Sequence, residues 1–572
     1  MTSAVERTRD AQERAISAPA PLFIRACPGA GKTHVVVTRH LRAPAHSLRR
    51  GRALLSFTRA AATQMRSRCH REGRPEATAF PHYIGTLDAF IWDILVEPHH
   101  PAGSPLQRLD SWDRVQAEVK LDRQIPLSTF TFQRNTQTGR DSIRRDLMKD
   151  EYQRLIESSR FPWEVWENSA LKERKAQYES GYVTGHEIRH LAFKYLALGQ
   201  EVEDPLRSRF AEIVVDEAQD CSVTDLEILD RLHNTGIPIV VVADPDQMIY
   251  GWRDADLRQL SALTEKLGQT VELIGNWRSS TTVCRLAATL RDGSRPPDPA
   301  IRPPVPEPPV ILLPTDFPKG RQARHTTSRQ AVVDVFLSHA QNYGILPEDC
   351  LITSYKKTHL PTRRRQPAGN PAAQLAFARQ VIHSGTADPD LLDSALLIAG
   401  RRLLRYWYPD VAARGSLHTR CERAGIAHSD LIRYAYAFLF SLPAAGASWL
   451  SDVNTKLKTS PRPSTARPKG TTGQLRSRPD TASPSGDPGG QHRVANIAQV
   501  KGDEHLAVLL LLPDSDTSTR WISGHPATDE LLRNWYVAVT RAQKLVAIAT
   551  RANQIQQLSE YLDTQQIPTL VY

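Results

Sequence analysis

Residues 21–34, "PLFIRACPGAGKTH", constrain this chain more than any other stretch. A short apolar run, fit for a strand, leads into a loop with two glycines, and "KTHVVVTRHL" then opens a helix. The phosphate-binding pattern is G-x-x-x-x-G-K-[ST]; Ala26 takes its first position here, while Gly31, Lys32 and Thr33 are intact. Such a strand–loop–helix turns successive backbone N–H groups and a helix N-terminus toward one point, which favours a phosphate. Ala26, Cys27, Pro28, Gly29, Ala30 and Gly31 are therefore candidates for the cradle. Lys32 would neutralise the outer phosphates and Thr33 would hold Mg²⁺. A chain built from such units belongs to the α/β class with a parallel sheet.

A second stretch fits the first. "EIVVDEAQD" is a β-rich run that ends in carboxylates, at the strand end where open α/β sheets place their ligands. Asp216 is the expected second contact to Mg²⁺, and Glu217 beside it is placed to take a proton from an attacking water. "IPIVVVADPDQ" repeats the strand-then-carboxylate pattern, and "ALLSF" with "TRAAATQMRSRC" adds another strand and helix. Residues 93–205 are charged, with apolar positions at helical spacing. A proline-rich stretch, 294–309, precedes "VILLP", and further strands are expected at "DCLITSY", "HLAVLLLLP" and "LVAIAT". Residues 454–493 are rich in Ser, Thr, Pro, Gly and Arg, a composition that predicts a disordered basic linker.

Length and charge set outer bounds. At 572 residues the chain is too long for one core. No segment approaches the roughly 20 apolar residues that span a bilayer, and the charged N-terminus lacks the apolar centre of a signal peptide. A cytoplasmic protein with no membrane partner is expected. Six cysteines include no C-x-x-C pair, so neither a zinc framework nor a disulfide framework is indicated. The net charge of +11 suits a polyanion such as nucleic acid. The Arg- and Pro-rich usage of a GC-rich genome would give the same balance.

Beyond the two phosphate-site motifs, "AQERAI", "LLSFTRAAATQM", "IGTLDAF", "ADPDQMIYGWRDA", "NWRSS", "NIAQVKGDEH" and "YVAVTRA" follow in order along the chain. Together they resemble the ordered motifs of the UvrD/Rep group of superfamily 1 DNA helicases. The resemblance implies two RecA-like P-loop cores with parallel sheets, each carrying a mostly helical insertion. It places the first core at 1–92 and 206–275 around an insertion at 93–205. The second falls at 276–365 and 494–572, around a reduced insertion at 366–453 and the linker. ATP and Mg²⁺ are the implied cofactors, and single-stranded or partly duplex DNA the implied partner.

The resemblance also assigns residues. Gln12 and Trp277 would contact adenine, and Gln247 would sense the γ-phosphate. Arg278 and Arg541 would act as arginine fingers from the second core, and Gly502 and Glu504 would meet the nucleotide there. Phe57, Thr58, Thr86, Tyr250 and Trp252 occupy positions that touch DNA; aromatic platforms suit a strand-tracking protein because every base has a π-face.

The departures are specific. Asn496 and Ala498 replace a Thr-x-His pair, Ala243 replaces a glycine, and His34 stands where many members carry an adenine-stacking arginine. Asp88 stands where a histidine is usual, and no C-terminal nuclease block is recognisable. The short insertion and the "GT-x-D-x-F" stretch are similar to the helicase subunit of the Gabija anti-phage system. Two functions stay open: an ATP-driven DNA translocase or helicase, moving 3′ to 5′ by resemblance, and an ATP-gated DNA sensor acting with a nuclease partner.

Overall fold

The computed structural model describes residues 4–42, 47–101, 103–134, 141–248, 257–301, 306–315, 327–361, 371–385, 389–411, 417–446, 448–472, 474–475 and 492–572. The chain divides into two units, Met1–Arg278 with Pro297–Arg302, and Ser279–Pro296 with Pro303–Tyr572.

In the first unit six strands form one sheet, in the order Thr270–Leu273, Leu22–Ala26, Ile239–Ala243, Phe210–Val215, Gly51–Ser56, Tyr83–Thr86. Every neighbouring pair is parallel. Runs such as "IVVVA" are buried along their whole length because helices cover both faces, the pattern parallel sheets require. Ile24 lies opposite Val242 and Val271, and Val214 lies between Leu54 and Val240. These side chains pack under helices Ala4–Ser17, Lys32–Arg42 and Arg59–Arg71. Phe23, Leu55, Ile213 and Val241 turn to the opposite face, against helices that include Gly185–Leu196, Gln200–Arg209 and Val223–Asn234. Because the strands are parallel, the segments after Ala26, Ser56, Thr86, Val215 and Ala243 all emerge at one edge.

The insertion expected over 93–205 is narrower and less helical than its charge pattern implies. Residues 107–143 contain short strand pairs, Glu118–Lys120 with Gln124–Pro126 and Phe132–Arg134 with Asp141–Ile143. They share a small core with Trp166 and Ala170 of helix Trp163–Glu179. The helices over 185–209 bury Ile188, Leu191, Val202 and Leu206 in the main core instead. Charged surface positions at helical spacing hid both facts, since strands this short carry little periodicity.

The second unit repeats the sheet. Its order is Arg493–Asn496, Cys350–Ser354, His505–Leu512, Ala542–Thr550, Val310–Pro314, Thr569–Val571, again parallel throughout. Ile311, Ile352, Leu509 and Ala547 pack with Val333 and Phe336 of helix Thr327–Asn342. A separate helical core runs from Ala372 to Leu475 and includes Trp407, Phe438 and Trp449.

That core overturns part of the linker expectation. Helix Trp449–Thr459 buries Val453 and Leu457, one turn apart, and Ala466 and Leu475 are buried beyond it. Asn454 clamps Leu475 in both directions: its Nδ2 donates to the Leu475 carbonyl at 3.0 Å, and the Leu475 N–H donates to its Oδ1 at 2.8 Å. A few well-spaced apolar residues sufficed where average composition indicated none. Residues 476–491 lie outside the described set. Among the described residues no helix is long and apolar enough to cross a membrane.

Candidate active site

The loop after strand Leu22–Ala26 needs glycine at two points. Gly29 has φ +71° and Gly31 φ +83°, left-handed values that other residues adopt at a cost. A Cβ on Gly29 would collide with Asn276 Oδ1 and lie 2.7 Å from Arg278 Cβ. The bare glycine lets the segment Asn276–Arg278 settle on the loop, where the Trp277 N–H donates to the Gly29 carbonyl at 3.0 Å. Trp277 and Arg278 therefore stand against the phosphate loop, and Arg278 groups with the first unit and not with the second core to which the resemblance assigned it. Gln12 also reaches the loop, its Nε2 donating to the Ala30 carbonyl at 2.8 Å.

Lys32 begins the following helix, and its Nζ lies 3.3 Å from Glu217 Oε1. Burial alone would lower the ammonium's pKa, but the carboxylates of Glu217, Asp244 and Asp216 outweigh it and raise the value. Asp216 responds oppositely: burial, followed by the neighbouring Glu217 charge, pushes its carboxyl up to about 7 against the pull of Lys32. Its backbone N–H is anchored to the Leu55 carbonyl of the adjacent strand at 2.8 Å, and its Oδ1 accepts from the Glu217 N–H at 3.0 Å. Glu217 itself has φ +56°, a strained value that turns its side chain back toward Lys32.

From Glu217 a chain of hydrogen bonds runs to the next strand end. Gln219 Nε2 donates to Glu217 Oε2, and Gln219 Oε1 accepts the Asp244 N–H at 3.1 Å. Gln247 Nε2 then donates to Asp244 Oδ2 at 2.7 Å. Gln219 and Asp244 are fully buried, and Gln247 nearly so. Sequence reasoning assigned Gln247 and missed Gln219 and Asp244. Their only signal was their place within "DEAQD" and "ADPDQ", where the outer residues drew the assignment.

Thr33 and Asp216 offer a hydroxyl and a carboxylate, hard oxygen donors of the kind Mg²⁺ takes. A buried carboxyl whose ionisation is disfavoured by its surroundings is suited to a cation that restores the charge. His34 is held by Thr38 Oγ1 at 3.2 Å and by Arg68 Nη2 at 3.0 Å. Burial and then the Arg68 charge lower its pKa. A guanidinium from helix Arg59–Arg71 thus stands beside position 34, and no local pattern around Arg68 points to that pairing.

Phe57, Thr58 and Thr86 fall at neighbouring strand ends on the same edge, Ser56 and Thr86 being register partners. Thr58 and Thr86 cap the helices that follow, accepting from the Ala61 and Ala89 N–H groups at 3.1 Å each. Asp88 is fixed by Arg189, whose other nitrogen holds Asp225. Tyr250 and Trp252 lie outside the described residues.

In the second unit Arg541 is buried, donating to the carbonyls of Val537 at 3.0 Å and Asp503 at 3.3 Å. Gly502 has φ +90°, and Glu504 is exposed and accepts from Gln543 at 3.4 Å. Asn496 caps a short turn by accepting the Gln499 N–H, so the replacement of threonine there keeps a capping residue.

A glycine loop, a largely enclosed lysine and two strand-end carboxylates on a parallel sheet define a P-loop nucleotide-binding protein. Residues 8–268 match the UvrD/REP helicase N-terminal domain. DNA helicase II of Salmonella typhimurium is 26% identical over 301 residues, covering 50% of this chain and 40% of the relative. ATP-dependent DNA helicase srs2 of Schizosaccharomyces pombe is 34% identical over 110 residues, 18% of this chain and 12% of the relative. An ATP-dependent helicase/nuclease of Lactococcus lactis is 31% identical over 190 residues, 30% and 15% of the two chains. Over residues 8–268 the chain is thus similar to the UvrD-like superfamily 1 helicases. The matched part spans less than half the length of the DNA helicase II relative.

Proposed function

We propose that the chain hydrolyses ATP and couples turnover to movement on single-stranded DNA, in the 3′ to 5′ direction. The observation that carries this reading is the network from Lys32 through Glu217, Gln219 and Asp244 to Gln247. Without nucleotide, Lys32 is held by Glu217. An entering triphosphate competes for the ammonium and releases the Glu217 carboxylate to accept the proton of an attacking water. Gln247 sits two residues before "IYGWRDA", whose Tyr250 and Trp252 are assigned to DNA, so one short stretch of chain links phosphate to strand. Thr33 and Asp216 would hold Mg²⁺, which when bound offsets charge on the phosphates. Arg278 and Arg541 would add positive charge to the transition state.

The test is ATP turnover by the full chain with and without single-stranded DNA. Stimulation that is lost in Trp252→Ala while basal turnover persists supports the coupling; a rate indifferent to DNA and RNA sinks the motor reading. A second reading, an ATP-gated DNA sensor working with a nuclease, is favoured by Asn496 and Ala498 in place of the usual pair and by the likeness to a helicase/nuclease. It predicts ATP-dependent DNA binding with no strand separation.

A further inference from the structure

His186 and His190 stand one turn apart on helix Gly185–Leu196, and their Nε2 atoms lie 3.1 Å from each other. Asp141, from the short strand Asp141–Ile143, brings Oδ1 to 3.8 Å from His186 Nε2. One ligand atom from each of the three residues falls within 4.8 Å of the others. Two nitrogens bound to zinc at about 2.0–2.1 Å in a tetrahedron lie about 3.3 Å apart, so the histidine pair is already at the required spacing. Against His186 the carboxylate needs to close by only about half an ångström to reach that spacing, and its oxygen lies within 4.8 Å of His190.

The surroundings hold the carboxylate in place. Arg174 bonds Asp141 Oδ2, leaving Oδ1 on the histidine side, and its Nε reaches Glu187 Oε1 at 3.3 Å. Glu187 Oε2 in turn accepts the Thr184 N–H at 2.9 Å and hydroxyl at 2.7 Å. Arg174 also lies over the Phe132 ring at 4.6 Å. Two carboxylates against one guanidinium leave a net negative charge beside the imidazoles. Such an outer layer is what fixes metal ligands in their orientation.

We propose that Asp141, His186 and His190 bind a divalent transition-metal ion, with Zn²⁺ favoured over Mg²⁺ by the imidazole nitrogens. The ion would staple the small core of the insertion, to which Ile143 belongs, to the helix whose Ile188 and Leu191 lie in the main core. The site is separate from the nucleotide loop and does not depend on the proposed ATP chemistry.

The experiment titrates the full-length, chelator-stripped chain with Co²⁺ in magnesium-free buffer, reads the visible d–d absorption, and then displaces the Co²⁺ with Zn²⁺. One saturable equivalent is expected, absent in the His186→Gln/His190→Gln double variant. Asp141→Asn should weaken the site by about tenfold or more. No saturable band, a band that persists in the double variant, or an Asp141→Asn affinity equal to that of the unaltered chain overturns the site; the last result leaves only a surface histidine pair. Should the variants fail to fold, the unaltered chain decides. Its thermal midpoint should rise with zinc concentration, and a midpoint indifferent to zinc refutes the proposal.

Discussion

The two units share one architecture, and the residues assigned to chemistry in each fall at opposite edges of it. Each is a six-stranded, all-parallel sheet with apolar strands buried under helices. In the first unit the candidate chemistry follows the strands: the phosphate loop after Ala26, Asp216 after Val215 and Asp244 after Ala243. In the second, Glu504 and Arg541 directly precede the strands His505–Leu512 and Ala542–Thr550. Loops at the carboxyl edge lead into helix N-termini, whose N–H groups attract anions. Residues entering at the amino edge bring only their own side chains. The same fold can therefore place a phosphate loop at the carboxyl edge of one copy and single charged side chains at the amino edge of the other, and function has to be argued from the residues at each edge.

The largest expected contrast between the units is between binding and turnover. Lys32→Ala should abolish nucleotide binding, whereas Glu217→Gln should bind ATP and fail to hydrolyse it; equilibrium binding of a fluorescent nucleotide beside single-turnover hydrolysis separates the two. Near-normal hydrolysis by Glu217→Gln would remove the base assignment. Arg541→Ala should leave nucleotide affinity unchanged and slow turnover by about 10³-fold or more, the usual cost of a lost arginine finger. An unchanged rate would show that the second unit contributes nothing to chemistry.

Packing offers a smaller test away from both edges. Leu457→Ala should destabilise the helical core of the second unit by about 2–5 kcal/mol, read by denaturant unfolding, while nucleotide binding by the first unit persists. No loss of stability would return residues 454–475 to the status of a linker.

Asp216 sharpens the comparison through pH. Its folded pKa, raised to about 7 by burial and the Glu217 charge, means the folded chain keeps a proton that the unfolded chain releases near 4. Nucleotide-free stability should therefore fall as pH rises from about 4 through 7. Apparent Mg²⁺ affinity should rise over the same window, because the carboxylate is the binding form. Asp216→Asn should raise the thermal midpoint at pH 8 without nucleotide and flatten both profiles. The smallest effect is expected at Arg68→Ala, which should weaken adenine nucleotides by about two- to fivefold if the guanidinium stands in for the arginine missing at 34.

Periodicity and short motifs were enough for the inner strands of both sheets, because parallel strands buried on both faces read as continuous apolar runs; the outer strands Tyr83–Thr86, Thr270–Leu273, Arg493–Asn496 and Thr569–Val571, short and only partly buried, were not read. The same local patterns singled out Lys32, Asp216 and Glu217, and the resemblance singled out Gln247 and Gln12; the fold brings Lys32 to Glu217, and Gln12 to the loop from helix Ala4–Ser17. The insertion 107–143 was illegible because strands of two or three residues leave no period to read. The segment after 454 was misjudged because Leu457, Ala466 and Leu475, buried among its described residues, are diluted by polar neighbours.

Local sequence was enough to specify the phosphate loop and the carboxylates, because a loop that must place backbone N–H groups around a phosphate tolerates few residues at each step. Tertiary structure alone decided which distant residues complete that site and its surroundings. Arg68 comes to His34 from another helix, Asn276–Arg278 settles on the loop through the missing Cβ of Gly29, and Gln219 joins two strand ends. Asp141 meets His186 and His190 across more than forty residues of chain. Such contacts depend on how helices and strands stack, and stacking is fixed by the summed burial of many apolar side chains, which no local pattern records.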